Sequence, residues 1–153
     1  MPIEYQNILV AVDGSNEADL AFKKSIGIAA RNNSALYLVH IIDNQSFGSV
    51  EAYSQAIAKD AMASSEKLMA SYKEAAISAG AENVHVVIEY GSPKKLIPVD
   101  LVKKYHIDLI ICGATGLNAA ERIFLGSVSE RIIRSAHCDV LVVRTEEPES
   151  IEA

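Results

Sequence analysis

The sequence predicts an α/β protein, a single-domain open sandwich in which a five-stranded parallel sheet carries helices on both faces. Three observations lead there. Short apolar runs bounded by turn residues alternate with segments of helical periodicity along nearly the whole chain, the pattern of a parallel sheet whose crossovers are helices. The apolar runs are nearly continuous rather than alternating, as strands buried on both faces require. The 153 residues, half of them apolar and 22% charged, suffice for one well-filled core and are too few for two.

Each element can be justified in turn. Asn7 to Asp13, NILVAVD, reads as the first strand and is ended by Gly14-Ser15. Ala18, Phe22, Ser25 and Ala29 then recur at helical spacing. Ala35 to Asp43 is the second strand, and the polar stretch NQSFGS leads into a long helix. That helix carries Val50, Tyr53, Ile57, Ala61, Leu68, Tyr72 and Ala76 on one face, and Gly80 stops it as a left-handed cap. NVHVVIEY is the third strand. Ser92-Pro93 supplies an N-cap followed by proline at the first helical position, where its missing N–H is harmless, and this third helix runs to about Tyr105. DLIICG is the fourth strand, SVSERIIRSA the fourth helix and DVLVVRT the fifth strand. The domain therefore occupies residues 1–145, and the acidic, proline-interrupted residues 146–153 are expected to be a disordered tail.

Composition excludes several functions. With 14 Lys and Arg against 20 Asp and Glu, the net charge is -6, which argues against a broad surface for nucleic acid or anionic lipid. No apolar run approaches the roughly 18 residues of a membrane span, and the N-terminus lacks the basic-then-apolar layout of a signal peptide, so the expected location is the cytoplasm. Cys112 and Cys138 form no CxxC pair and have no histidine at zinc-like spacing. Both are expected to be buried small hydrophobes, too far apart for a disulfide.

The chemistry concentrates in ICGATGLNAAERIFLGSVSERIIRSA. Gly113 and Gly116 follow the fourth strand, and Gly126-Ser127 directly precede the fourth helix. The first amides of a helix are unpaired and carry partial positive charge, so they attract anions, and a neighbouring glycine lets a phosphate approach the backbone. A second explanation stands beside this one. Ser127-Val128-Ser129-Glu130 matches a capping box, which would account for Gly126-Ser127 without a ligand.

The spacing G-x2-G-x9-G-S resembles the nucleotide-binding signature of the universal stress protein family. The resemblance covers nearly the whole chain, including a first strand ending in Asp13, VHIID closing the second, and GSVSERIIRSAHCDVLVV at the end. It implies the ATP-binding branch of that family, a Rossmann-like fold and the strand order 3-2-1-4-5. That order places strands one and four side by side, with a crevice at their carboxyl ends where ligands of doubly wound sheets bind. The resemblance also implies residue roles. Ala11, Val12 and Asp13 would lie beside the adenosine, with the Asp13 carboxylate accepting from ribose hydroxyls. Ile41 would pack on the adenine, and Cys112 with Gly113 would line the same pocket. Gly116, Gly126, Ser127, Val128 and Ser129 would contact the phosphates. The alternative for Asp13 is a turn residue accepting from the amides of Ser15 or Asn16. For Ile41 it is simple core packing. His40, inside the second strand, reads as a structural histidine. Arg122 reads as a surface arginine paired with Glu121 or Glu130, or as a phosphate contact.

Binding is better supported than turnover. The chain has no Walker A motif and no lysine between Gly113 and Ser127, and phosphoryl transfer needs cations around the developing charge. The only further cation expected is a Mg²⁺ brought by the triphosphate. The leading expectation is thus an ATP-binding regulator or sensor of the stress response. The alternatives are a slow ATPase or phosphotransferase, a flavodoxin-like cofactor protein, and a nucleotide-independent structural dimer. DVLVVR presents an apolar sheet edge, which pairing with a second copy would cover, and the resemblance likewise implies a homodimer through strand five.

Overall fold

The computed structural model of the chain describes residues 4–43, 51–114 and 125–144. The elements are β1 (Asn7–Ala11), α1 (Asn16–Asn32), β2 (Ala35–Ile42), α2 (Glu51–Ser78), β3 (Asn83–Tyr90), α3 (Pro93–Lys95), a π-turn (Leu96–Asp100), α4 (Leu101–Tyr105), β4 (Leu109–Gly113), α5 (Ser127–Ser135) and β5 (Asp139–Val143). The five strands form one sheet in the order β3-β2-β1-β4-β5, with every pairing parallel. The expected order is therefore the observed one. The expected NQSFGS loop and residues 146–153 fall outside the described residues.

Strand alternation divides the core into two layers. Ile8, Val10 and Val12 of the first strand region face the same way as Leu36, Leu38, Leu109 and Ile111, onto Phe22, Ile26 and Ala29 of α1 and Met69, Tyr72 and Ala76 of α2. Leu9, Val39, Ile110 and Cys112 face the opposite way, onto Ile97 of the π-turn, Leu101 of α4 and Ile132 of α5. The Tyr72 ring meets Phe22 edge-on, with centroids 4.8 Å apart, and its hydroxyl donates to Asp19. Burial and that carboxylate push the Tyr72 phenol well above the ordinary range.

Helix ends follow local chemistry. Ser15 caps α1, its Oγ accepting from the Ala18 amide at 3.2 Å. Gly80 (φ 110°) follows α2 as expected, while Asn33 and His106 take the left-handed conformation after α1 and α4. One helix departs from expectation. The stretch from Pro93 to Tyr105 is broken by the π-turn, and Pro98 at its centre gives the reason, because a proline has no N–H to donate in an α-helical ladder. Ser92 precedes that helix in an extended conformation but makes no side-chain cap.

The amino-terminal segment is stitched to its neighbours. Asp108 accepts from the amides of Gln6 and Asn7 at 2.8 and 3.0 Å, and Ser34 Oγ donates to the Tyr5 carbonyl at 2.5 Å. The Tyr5 hydroxyl donates to Asp139 at 2.7 Å. Both cysteines are free thiols; Cys112 is buried as expected, whereas Cys138 is only half-buried. No helix among the described residues is long and apolar enough to cross a membrane.

Candidate functional site

Strands β1 and β4 lie side by side, yet their crossovers leave on opposite faces, α1 on one and α5 on the other. This is the switch point of a doubly wound sheet, and the crevice at its carboxyl end is where such folds hold ligands.

On the β1 side the turn is closed by its own side chains. Gly14 takes φ 85°, which a side chain would disfavour, and lets the chain reverse into α1. Asp13 Oδ1 accepts from the Ser15 amide at 2.9 Å, and Ser15 in turn caps the helix. The turn role considered for Asp13 is thus realised through one of its two oxygens, which leaves the carboxylate capacity to accept from a ligand. Just before it, the Val12 amide donates to the Val39 carbonyl at 2.9 Å, and the Val12 carbonyl receives His40 Nδ1 at 2.8 Å. The structural part expected of His40 is therefore observed.

On the β4 side the arrangement differs. The Ala114 amide donates to the Val143 carbonyl at 3.0 Å, and the Ala114 carbonyl accepts from the Gly126 amide at 2.7 Å. Ser129 Oγ donates to the Gly113 carbonyl at 2.6 Å. The N-cap of α5 is Gly126, in extended conformation, with no side-chain cap. The capping box weighed for Ser127 is consequently not formed. The Gly126–Ala114 bond seats the chain so that Ser127 is already the first helical residue rather than the cap. The first intrahelical bond closes from the Glu130 amide to the Gly126 carbonyl at 2.9 Å, so the amides of Ser127, Val128 and Ser129 have no partner within the helix. Glu130 is occupied by Arg134 at 2.6 Å, four residues on, so the pairing considered between Glu130 and Arg122 has a competitor; Arg122 and Glu121 fall outside the described residues.

The residues singled out in the sequence separate into two groups. Ala11, Ile41, Cys112 and Val128 come together in the layer beneath α4 and α5, close to the strand ends that bear Asp13 and Gly126. Val12 does not join them. Its side chain is buried in the opposite layer, its amide donates to the Val39 carbonyl and its carbonyl receives His40 Nδ1. Gly113 is required by packing. A Cβ there would lie 2.8 Å from the Glu17 Cβ and 3.0 Å from the Glu17 carbonyl carbon, so the residue's smallness lets α1 seat against β4. The hydroxyl of Ser129 is buried and turned inward, which leaves its amide as the group available to a phosphate. Gly116 lies outside the described residues. Cys112 is pushed up to about 11 by burial, partly offset by a hydrogen bond with Ser129, and is a neutral thiol at physiological pH.

Sequence reasoning missed the partner of His40, which lies 28 positions away, and the contact of Gly113 with Glu17. No local pattern signals either. Among the described residues no cluster of three or more His, Cys, Asp or Glu side chains could hold a metal ion.

The sheet order and the crevice define a Rossmann-like, doubly wound α/β protein. The universal stress protein family model matches residues 4–144, and the chain belongs to that family. A relative from Staphylococcus haemolyticus assigned to the universal stress proteins is 49% identical over 151 residues, spanning 98% of this chain and 92% of the relative. Another from Staphylococcus epidermidis is 50% identical over 151 residues, spanning 98% and 91%. Among solved structures, the universal stress protein UspA from Lactobacillus plantarum superposes with a TM-score of 0.86 at 31% identity, covering 94% of this chain and all of that one. A universal stress protein solved in complex with cAMP gives a TM-score of 0.71 at 25% identity, covering 94% of this chain and all of the other.

Proposed function

We propose that this chain is an ATP-binding regulator of the stress response, a cytoplasmic protein whose bound nucleotide biases its conformation or its choice of partner. The observation that carries the reading is the uncapped start of α5. Three successive amides, those of Ser127, Val128 and Ser129, stand without intrahelical acceptors at the start of α5, which is tied to the end of β4, and Asp13 follows the end of the neighbouring strand β1. Such amides favour an anion, and the carboxylate favours a hydroxyl-bearing group next to it. A nucleotide offers both. Ala11, Ile41, Cys112 and Val128 supply an apolar layer for the base. The cAMP complex of a 25% identical relative supports the same ligand class.

These groups bind and orient a nucleotide. The side chains named here provide no cation around a transferring phosphate, so a Mg²⁺ carried in with the triphosphate would supply that charge. The same reading makes the protein a homodimer through β5, an edge strand whose Val140, Leu141 and Val142 are only half-buried in the single chain.

The test is to denature freshly purified protein, identify any released nucleotide by chromatography, and titrate ATP onto the wild type and Gly126→Val. Retained adenine nucleotide, or wild-type binding that valine abolishes, is the expected result. Absence of both defeats the proposal and leaves the glycines to turn and packing alone.

A further inference from the structure

The last carbonyls of the two strands at the switch point are held by side chains from neighbouring elements. The Gly113 carbonyl of β4 is held by Ser129 Oγ from α5 at 2.6 Å, and the Val12 carbonyl, just past β1, by His40 Nδ1 from β2 at 2.8 Å. A carbonyl can only accept, so the imidazole must carry its proton on Nδ1. The contact extends the pairing of β1 with β2, where the Val12 amide already donates to the Val39 carbonyl. Val12 is thereby fixed through both its amide and its carbonyl. The next residue is Asp13, whose Oδ1 is held from the other side by the Ser15 amide.

We propose that His40 is a positioning residue for the ligand crevice, pinning the end of β1 through the Val12 carbonyl as Ser129 pins the end of β4 through the Gly113 carbonyl. The inference rests on the nucleotide-binding reading above and deepens it. With both carbonyls engaged, the described residues at the crevice offer amides from α5 and the carboxylate of Asp13, a pairing suited to an anion joined to a hydroxyl-bearing group. His40 touches no ligand in this scheme. It sets the direction in which the free Asp13 oxygen points, because that carboxylate is otherwise anchored only to its own turn.

The experiment compares ATP affinity and thermal unfolding of the wild type, His40→Ala and His40→Asn, with long-range ¹⁵N NMR of the wild-type imidazoles. Asparagine can donate from nearly the position of Nδ1. His40→Ala is expected to weaken ATP binding by ~10-fold, because the Asp13 carboxylate is no longer held in its binding direction before the ligand arrives. His40→Asn is expected to return to within ~3-fold of the wild type, and the imidazole should show a protonated Nδ1. Several results overturn the inference. One is a folded alanine variant that binds as the wild type does. Others are an asparagine variant no better than alanine, or an imidazole protonated on Nε2 alone. If the alanine variant fails to fold, the asparagine variant and the NMR tautomer decide. A wild type that binds no adenine nucleotide overturns the nucleotide reading itself, whereas binding that is indifferent to His40 overturns only this role.

Discussion

The two strand-to-helix connections at the switch point solve the same problem in opposite ways. From β1 into α1 the chain takes four residues, Gly14 supplies the left-handed turn, and Asp13 and Ser15 satisfy amides of the turn and the helix start. From β4 into α5 the chain takes thirteen residues, ends on Gly126, and provides no side-chain cap. The first helix carries its own side-chain cap. The second has no side-chain cap, and on the proposed reading it is the helix start that meets a ligand. Acidic residues do not make this difference, since Glu17 and Asp19 stand in the first turn of α1 and Glu130 in that of α5.

The largest expected effect comes from the point where the two connections touch. Gly113→Ala would place a Cβ against the backbone of Glu17, which cannot rotate away as a side-chain tip could. Overpacking of this kind costs about 2–3 kcal/mol. Urea unfolding of the variant should show a clearly lowered midpoint, and an unchanged midpoint would mean that α1 rides more loosely on β4 than its contacts indicate.

Next in size is a pair of substitutions that exchange the character of the two helix starts. Ser15→Ala removes the acceptor of the Ala18 amide and should lower stability by about 1 kcal/mol while leaving ATP affinity alone. Gly126→Asp does the reverse. It offers α5 the cap it lacks and a negative charge at its positive end, raising stability by about 0.5–1 kcal/mol and weakening ATP binding. Paired calorimetric titrations and melting curves check both. If Gly126→Asp binds ATP as tightly as the wild type, the uncapped amides are not where the phosphates sit and the comparison breaks.

These expectations show what sequence could and could not convey. Apolar runs such as LIIC and helical repeats such as Ala18, Phe22 and Ala29 announce the alternating elements, because burial on two faces or one leaves a local periodicity. Strand order has no local trace; it came with the family resemblance. The π-turn was overlooked although Pro98 stood in plain view, since a proline five residues after Pro93 interrupts a helix without ending it. Ser127 fitted the capping-box pattern and yet does not cap, because a long-range bond between Gly126 and Ala114 decides where the helix begins. Gly113 was read as lining the pocket of the base, and its contact with Glu17 on another element, which needs its smallness, left no local sign. At Ser127 and Gly113 a contact distant along the chain acted where a local rule could not see it. For the same reason Asp13, whose partner is two positions away, was legible in advance.

The smallest effect concerns pH and also belongs to one side of the comparison. Cys112, at the end of β4, is raised to about 11 from 9.0, first by burial, with the Ser129 hydrogen bond partly offsetting it. Below pH 9 the thiol is neutral in both the folded and the unfolded chain, so its contribution to stability is constant. Above pH 9 the unfolded chain loses the proton first, and stability falls with rising pH until the folded thiol also ionises near pH 11. Between pH 8 and pH 10 the stability of the wild type in urea unfolding should decline, with Cys112 contributing about 1 kcal/mol of the loss. Cys138 is also raised to about 11, by burial and then by Asp139 and Asp108, so part of the decline survives in Cys112→Ala. The informative quantity is the slope against pH rather than the level, since removing the sulfur also changes packing. A shallower slope in Cys112→Ala assigns the alkaline loss to the β4–α5 side. An identical slope would mean that the thiol titrates alike in both states, and hence that water reaches the floor of the crevice.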